Sequence, residues 1–178
     1  LSMTFPFQKN IKTVYNPNFH NSVVYSVKEG LKNINTNLPV LLLNGDTCFD
    51  EDIFKHSIKL SEINHNSITL FGHLTDKYYN DDMLINVVNG KILNVGKNLK
   101  QVNGVSSGAI LMSNDGLQKY LDVIHLKPVD KLKTHHGILQ FIMDSGFDID
   151  FVDLGSRNWL EIDVQSDIKR ARSYFDAN

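Results

Sequence analysis

Residues Pro39–Asp52 read PVLLLNGDTCFDED, and this stretch decides the fold. Four apolar residues, Val40–Leu43, run without a polar interruption and end at Asn44, Gly45 and Asp46. A continuous apolar run between Pro and Gly predicts a fully buried, parallel strand. Gly45 allows a sharp turn at the carboxyl end of this strand, which places Asp46 on the rim of the sheet. Ligands of open α/β sheets bind at that rim, whereas the alternative is an ordinary strand-to-turn aspartate.

The composition is that of one globular domain. The chain has 178 residues, of which 42% are hydrophobic and 21% are charged, and this length can bury a substantial core. The formal net charge is −2, and no basic run indicates nucleic-acid binding. Cys48 is the single cysteine; it excludes an intrachain disulfide and a cysteine-based zinc site, and we expect it to be buried and inert. Because neither a membrane-spanning run nor a signal-peptide pattern is present, we expect no membrane association and a cytoplasmic location.

Predicted strands and helices alternate along the chain, as in a single α/β domain. Short apolar runs predict strands at Ile11–Tyr15, Val40–Leu43, Ser67–His73, Leu84–Val88, Lys91–Val95, Ser107–Met112, Ile149–Leu154 and Trp159–Ile162. Capping residues and apolar spacing predict helices at Ser22–Asn33, Asp50–Ile63, Leu117–Ile124, Lys133–Ser145 and Asp167–Phe175, with Ser22, either Asp50 or Asp52, and Ser166 as caps. Asn89-Gly90 predicts a tight hairpin.

Two aspartates, Asp46 and Asp163, each follow a short apolar strand. If these strands are parallel neighbours, both carboxylates reach the same rim of the sheet. Paired carboxylates suit Mg²⁺, which takes few protein oxygens and completes its coordination with water and phosphates. Strand alternation places Glu161 on the same face as Asp163 and turns Leu160 and Ile162 towards the core. The alternative for Glu161 is a solvated strand carboxylate.

The order of three segments resembles the nucleotidyltransferases that couple an NTP to a sugar phosphate or phospho-alcohol. The segments are VYNPNF with NSVVYSVKEGL, PVLLLNGDTCFDEDIF, and NWLEIDVQSDIKRARSYF. Asn80–Ile85, NDDMLI, resembles the DDDMKV-like segment of the CTP:phosphocholine and phosphonate cytidylyltransferase branch. The hairpin Val87–Lys97 and the run VNGVSSGAILMSNDGLQKYL resemble the middle of that branch. The resemblance covers Thr13–Phe175 and implies a Rossmann-like α/β fold, a mixed, mostly parallel sheet flanked by helices.

The resemblance also implies an activity, the transfer of a nucleotidyl group from CTP or another NTP to a phosphocholine- or phosphonate-like acceptor. It implies that Asp46 and Asp163 are catalytic and hold Mg²⁺. It places Ser26 and Asn21 near the substrate, Lys97 at a phosphate or acceptor group, and Trp159 beside the acceptor, where an alkylammonium head would gain cation–π attraction. Two other functions stay open: a sugar-1-phosphate nucleotidyltransferase, and a catalytically silent nucleotide-binding or assembly domain.

Each of these residues has a simpler interpretation. Ser26 and Lys97 can be solvated surface residues, and Trp159 can be core filler. Asp81 and Asp82 can form a solvated turn, although the resemblance favours a binding role. The remaining candidates are weaker: His135 and His136 occupy adjacent helix positions that point in different directions, so we expect no metal site from this pair, and the other histidines show no ligand spacing.

The sequence departs from the nucleotidyltransferase pattern in two places. Val105 stands where many relatives carry an acidic residue, which leaves the identity of the acceptor open. The opening strand, its Gly-rich loop with an Arg, and a following Pro-Lys, which cradle the NTP phosphates, do not occur in this sequence. We therefore expect residues 1–178 to be one domain that lacks its N-terminal strands. Either the natural protein is longer, or a second chain fills the gap, or the domain is inactive; a homodimer also stays open.

Overall fold

A six-stranded sheet lies at the centre of the structure, a computed structural model that describes residues 11–35, 37–51, 53–55, 57, 59, 67–126, 132–155 and 159–175. The strands are β1 (Val40–Leu42), β2 (Thr47–Phe49), β3 (Ile68–Leu74), β4 (Leu84–Val88), β5 (Lys91–Gly96), β6 (Gly104–Met112), β7 (Ile149–Asp153) and β8 (Trp159–Glu161). The order in the sheet is β1-β6-β3-β7-β5-β4, and β2 and β8 form a separate two-stranded ribbon.

The sheet closes on itself through its longest strand. The first part of β6 pairs with β4, where Gly104 and Val105 oppose Ile85 and Leu84, and its last residues pair with β1. Strands β6, β3, β7, β5 and β4 therefore form a barrel-like ring, and β1 lies outside it. We predicted that β6 would begin at Ser107. It begins earlier because its pairing with β4 needs Gly104 and Val105.

The expectation of a mostly parallel sheet is wrong. Among the described strands, β3 and β7 are the one directly paired parallel couple, because β6 runs antiparallel between β1 and β3. The central, fully buried position predicted for Val40–Leu43 is also wrong. Strand β1 is half-buried, since in the described part of the chain it has a strand neighbour on one side only.

Four helices have full bounds, and they are α1 (Val23–Leu31), α2 (Asn114–Leu126), α3 (His135–Asp144) and α4 (Gln165–Phe175). Residues 53–55, 57 and 59 are also helical, and the rest of the helix predicted at Asp50–Ile63 lies mostly outside the described residues. The Ser22 hydroxyl caps α1 by accepting from the amide of Val24, as predicted. Helix α2 begins before the predicted Leu117 because Ser113 caps it, its hydroxyl accepting from the amide of Gly116.

Two apolar clusters cover the two faces of the sheet. The larger one packs α1, α2 and α3 on the sheet and includes Val24, Tyr120 and Ile138. The smaller one, on the other face, includes Phe71 and Leu154, with residues of the β2–β8 ribbon packed against it. The prediction of a mixed sheet flanked by helices is therefore confirmed.

Two sequence predictions about short segments have opposite outcomes. Residues 11–15, predicted as a strand, are irregular and exposed, because no described strand lies beside them. Asn89 and Gly90 form the predicted hairpin turn, with φ angles of 50° and 74°, the positive values that such a two-residue turn requires. No helix in the described ranges combines the length and apolar character needed to cross a bilayer.

Candidate active site

The β2–β8 ribbon brings the segments of Asp46 and Asp163 together. Thr47 pairs with Glu161, and one step further along the ribbon the amide of Ile162 donates to the carbonyl of Asp46 at 2.8 Å. Asp46 therefore pairs with the residue directly before Asp163, and both aspartates are exposed. The two segments meet as predicted, but through an antiparallel ribbon and not through parallel neighbours of the main sheet.

Glu161 lies among other carboxylates. Burial raises the pKa of its half-buried carboxyl, and four neighbouring carboxylates raise that pKa further: Asp163, Asp46, Asp82 and Asp81. We call these five residues the acidic rim. The loop before β4 is held in place at Asp82, whose carboxylate accepts from the amide of Tyr79 at 2.6 Å. Such a concentration of negative charge favours bound cations.

A groove of about 750 Å³ runs between helix α1 and strand β1; we call it the α1 groove. Its lining is mainly apolar, with a few polar and charged side chains that include Asp46 and His135. Its lining residues are Lys12, Val14, Val23, Ser26, Val27, Gly30, Leu31, Asn33, Ile34, residues 40–46 and His135.

A second groove, of about 550 Å³, lies beside strand β8; we call it the β8 groove. It mixes aromatic, acidic and basic side chains. Its lining residues are His73, Thr75, Lys77, Tyr79, Asp81, Asp82, Val105, Gly155, Trp159, Leu160, Glu161, Asp163, Val164, Asp167 and Arg170.

The acidic rim contributes carboxylates to both grooves. Asp46 lines the α1 groove, whereas Glu161 and Asp163 line the β8 groove. Ile162, which lies between Glu161 and Asp163 in the chain, donates its amide to the carbonyl of Asp46 and so holds the two segments together. The same group of carboxylates therefore borders two separate grooves.

The structure brings some of the predicted substrate residues to the grooves and leaves others outside. Ser26 lines the α1 groove, where its hydroxyl accepts from the side-chain amide of Asn16 at 2.9 Å. Trp159 is half-buried and lines the β8 groove. Asn21 and Lys97 are exposed and line neither groove. Cys48, expected to be buried, is half-buried.

The backbone at Asp163 is fixed by a carboxylate of the next helix. The buried side chain of Asp167 accepts from the amides of Asp163 and Val164, at 3.1 and 3.0 Å. Its other oxygen accepts from the guanidinium of Arg170 at 3.3 Å. Ser166, predicted as the cap of this helix, instead lies inside α4. Asp167 stabilises the helix start from within the first turn, where a negative charge is favourable.

Lys77 and His135 are among the groove residues that the sequence predictions missed. Lys77 lies in a polar loop and lines the β8 groove; nothing in the residues around it distinguishes it from a solvated lysine. His135 lines the α1 groove, although the sequence analysis assigned it no role in binding. Nothing in the residues around His135 distinguishes it from a solvated helix histidine.

The two adjacent histidines are both buried but differ in their partners. The Nε2 atom of His136 lies 2.8 Å from the hydroxyl of Ser106. The Nε2 atom of His135 is shielded from water and has no hydrogen-bond partner in the part of the chain that the structure describes. Burial lowers the pKa of His135 to about 4, against the opposing effect of the Asp46 charge. Burial also lowers the pKa of His136, and the neighbouring His135 lowers it further. Both imidazoles are therefore neutral at pH 7.

The donor set of the acidic rim fits Mg²⁺ better than a softer metal. Its side-chain donors are carboxylate oxygens, the ligands that Mg²⁺ prefers. Within the described residues no group of three His, Cys, Asp or Glu side chains forms a complete metal site. Two protein carboxylates are enough where phosphate oxygens and waters supply the other ligands. Asp46 and Asp163 would hold such an ion.

No protein-family model matches the sequence, and no curated protein matches it. Solved structures do match. The inositol-1-phosphate CTP transferase from T. maritima is similar with a TM-score of 0.70 and 20% identity, over 85% of this chain and 60% of that one. CMP:2-keto-3-deoxy-manno-octonic acid synthetase, complexed with CTP, is similar with a TM-score of 0.67 and 13% identity, over 96% of this chain and 74% of that one.

A third match is a candidate glucose-1-phosphate thymidylyltransferase from Bacillus anthracis in complex with a sucrose. Its TM-score is 0.58 at 18% identity, over 78% of this chain and 55% of that one. The chain thus spans 60% of the length of the T. maritima enzyme and 55% of the B. anthracis protein. At these identities the likeness establishes the fold, and the predicted nucleotidyltransferase fold is confirmed.

Proposed function

We propose that this chain acts in Mg²⁺-dependent nucleotidyl transfer that uses CTP or another NTP and releases pyrophosphate. The observation that carries the proposal is the acidic rim, whose carboxylates line two separate grooves. A transferase with two substrates needs their reacting phosphates side by side, and it needs cationic help for the charge that both bring. The similar structures include an inositol-1-phosphate CTP transferase and a synthetase complexed with CTP.

We assign the NTP to the α1 groove and the acceptor to the β8 groove. The apolar walls formed by Val27 and Leu31 suit the faces of a nucleobase, and the Asp46 end suits the phosphates. In the reaction an acceptor phosphate oxygen attacks the α-phosphorus and forms a new P–O bond. The bond from the α-phosphorus to the bridging oxygen breaks, and pyrophosphate leaves with the electron pair. A bound Mg²⁺ supplies charge neutralisation at the two phosphates.

The lining of the β8 groove supports a cationic acceptor of the phosphocholine type. Trp159 offers an aromatic face for an alkylammonium head, and Asp81, Asp82 and Glu161 add negative charge. Lys77, whose ammonium forms no ion pair with the described residues, is our candidate for the acceptor phosphate. A sugar-1-phosphate acceptor could use Lys77 in the same way, but it lacks a cationic head and would gain no cation–π attraction from Trp159.

The test of the reaction class is metal-dependent nucleotide binding. Isothermal titration of CTP in the presence and absence of Mg²⁺ should show tighter binding with the metal. Asp46→Ala and Asp163→Ala should each remove that difference, because each removes a carboxylate from the rim. Asp148→Ala is the matched control, since Asp148 is exposed and lies near Lys91 at 3.8 Å, outside both grooves. A metal dependence that survives in both rim variants would support the catalytically silent domain instead.

The test of the acceptor is a comparison of phosphocholine with glucose 1-phosphate. We expect Trp159→Ala to weaken phosphocholine binding by about 3- to 30-fold, the range of one cation–π contact, and to leave glucose 1-phosphate unchanged. Equal binding of the two acceptors by the wild-type chain would favour the sugar-1-phosphate alternative. Turnover by residues 1–178 alone with CTP, Mg²⁺ and phosphocholine would show that no added phosphate loop is needed.

A further inference from the structure

We propose that His135 forms a hydrogen bond with a ribose hydroxyl of the nucleotide in the α1 groove. The inference rests on the proposed function, because it takes a nucleotide as the occupant of that groove. It adds a substrate contact that neither the resemblance nor the names of the similar structures supply.

Hydrogen bonds at the start of α3 fix the position of His135. It is the first residue of α3, which Thr134 caps by accepting from the amide of Gly137 at 3.2 Å. The hydroxyl of Ser22, at the start of α1, donates to the carbonyl of Lys133 at 2.9 Å. These bonds tie the start of α3 to α1, and they hold His135 in the lining of the groove beside Asp46.

One ring nitrogen of His135 is buried without a hydrogen-bond partner among the described residues. His135 is 6% exposed, and its Nε2 atom has no hydrogen-bond partner among the described residues. A buried polar atom without a partner is unfavourable, so its presence in a native structure calls for an explanation such as a ligand. His136 next to it is satisfied by Ser106. Of these two rings, which lie 4.2 Å apart, the one without a partner is therefore the one that lines the groove.

A hydroxyl group suits the neutral imidazole of His135 better than a phosphate does. A neutral imidazole offers one donor and one acceptor, and a hydroxyl group has both capacities as well. A phosphate would be better served by a cation, and the nearby charge of Asp46 disfavours an unscreened anion at this place. A ring flip exchanges Nε2 with Cε1 without a change of shape, so the nitrogen is not confined to its shielded position. Between the apolar walls and the phosphate end of the groove, the sugar is the part of a nucleotide that carries hydroxyls.

The experiment measures CTP binding against its 2′-deoxy and 3′-deoxy analogues, each with Mg²⁺, by titration calorimetry. The wild-type chain should prefer CTP over at least one analogue by about 3- to 10-fold, the range of one hydrogen bond. His135→Phe should abolish that preference by weakening CTP alone, while His135→Gln, which keeps a side-chain N–H, should retain part of it. His125→Phe, an exposed histidine on α2, is the matched control and should keep the full preference.

A second readout is the NMR chemical shift of the His135 imidazole nitrogens. Addition of CTP should change this shift, and addition of the deoxy analogue that binds more weakly should change it less. The proposal is overturned if the wild-type chain shows no preference, if the preference survives in His135→Phe, or if that variant weakens CTP and both analogues equally. An absence of any Mg²⁺-dependent CTP binding by the wild-type chain is a different result. It would contradict the proposed function itself, and the assignment of His135 with it.

Discussion

Tyr120 carries a hydroxyl that lies inside the core without a hydrogen-bond partner among the described residues. Burial raises the pKa of this phenol far above its ordinary value. We predict that Tyr120→Phe raises the free energy of unfolding by about 1 kcal/mol, because it removes a buried polar atom and keeps the ring. Urea unfolding measures the change, and Tyr15→Phe, at a residue that is 83% exposed, is the control. A loss of stability would mean that the hydroxyl has a partner.

Glu161 supports a second prediction at the scale of one residue. The raised pKa of Glu161 means that the folded state favours its protonated form. The contribution of Glu161 to stability therefore falls as pH rises from about 4.5, the ordinary pKa, through the raised pKa of the folded state. At pH 7 without divalent ions, Glu161→Gln should therefore raise the melting temperature, and the gain should shrink near pH 4. The same variant should reduce the extra stability that Mg²⁺ gives. Glu51→Gln, at an exposed residue, should do neither.

Single residues could be predicted from the sequence where a local pattern holds them. Ser22 and the Asn89-Gly90 turn are examples, because a cap and a tight turn depend on the chain within a few positions. The surroundings of His135 and Glu161 could not be predicted in this way. They depend on which distant segments the fold brings beside them, namely the rim at Asp46 and the loop at Asp82.

At the scale of elements, the start of α4 links helix formation to the acidic rim. We predict that Asp167→Ala lowers the free energy of unfolding by about 0.5–2 kcal/mol, the range for the loss of a helix cap. Asp167→Asn should cost less, since its side-chain oxygen can still accept from the amides of Asp163 and Val164. Both variants should weaken Mg²⁺-dependent CTP binding, Asp167→Ala more than Asp167→Asn. Urea unfolding and calorimetry measure the two effects separately.

The control for this prediction is Ser166→Ala. The sequence favoured Ser166 as the cap, but the structure places it inside the helix, with Asp167 in the accepting role. We therefore expect Ser166→Ala to leave stability and binding unchanged. A loss as large as that of Asp167→Ala would restore the sequence interpretation.

Strand pairing is the part of the element scale that the sequence predicted least well. The apolar run Val40–Leu43 was placed in the middle of a parallel sheet, yet β1 pairs antiparallel with β6 and is half-buried. A short apolar run has the same appearance in a central and a peripheral strand, because its neighbours are determined by distant segments. The strand at Trp159 was located correctly, whereas its partner β2 was missed because Gly45 and Asp46 before it favour a turn and Asp50 after it favours a helix start.

At the scale of the whole molecule, the buried histidines make folding sensitive to acid. The pKa of His135 is about 4 in the folded chain, against 6.5 for the ordinary group, and that of His136 is lowered well below 6.5. Between these values the unfolded chain binds protons that the folded chain does not, so stability falls as pH drops below about 6.5. We predict a slope of up to about 1.4 kcal/mol per pH unit for each histidine.

Urea midpoints at pH 7.5, 6 and 5 check this slope. His135→Phe should reduce it by about half, because one of the two buried imidazoles is gone. His125→Asn, at an exposed position, should leave the slope as it is in the wild-type chain. A stability that is flat from pH 7.5 to 5 would contradict the burial of these rings.

The position of β1 outside the ring of five strands has a consequence for the order in which the molecule opens. Amide protons within a closed ring exchange with solvent when several strands separate together. Strand β1 has backbone pairing with one described strand, the end of β6, so fewer hydrogen bonds hold it in the sheet. We therefore expect fast hydrogen–deuterium exchange at Val40–Leu42 and slow exchange at β3 and β6. Asp46 follows the segment that opens first, so ligands at the acidic rim should slow the exchange of β1 while leaving the ring unaffected.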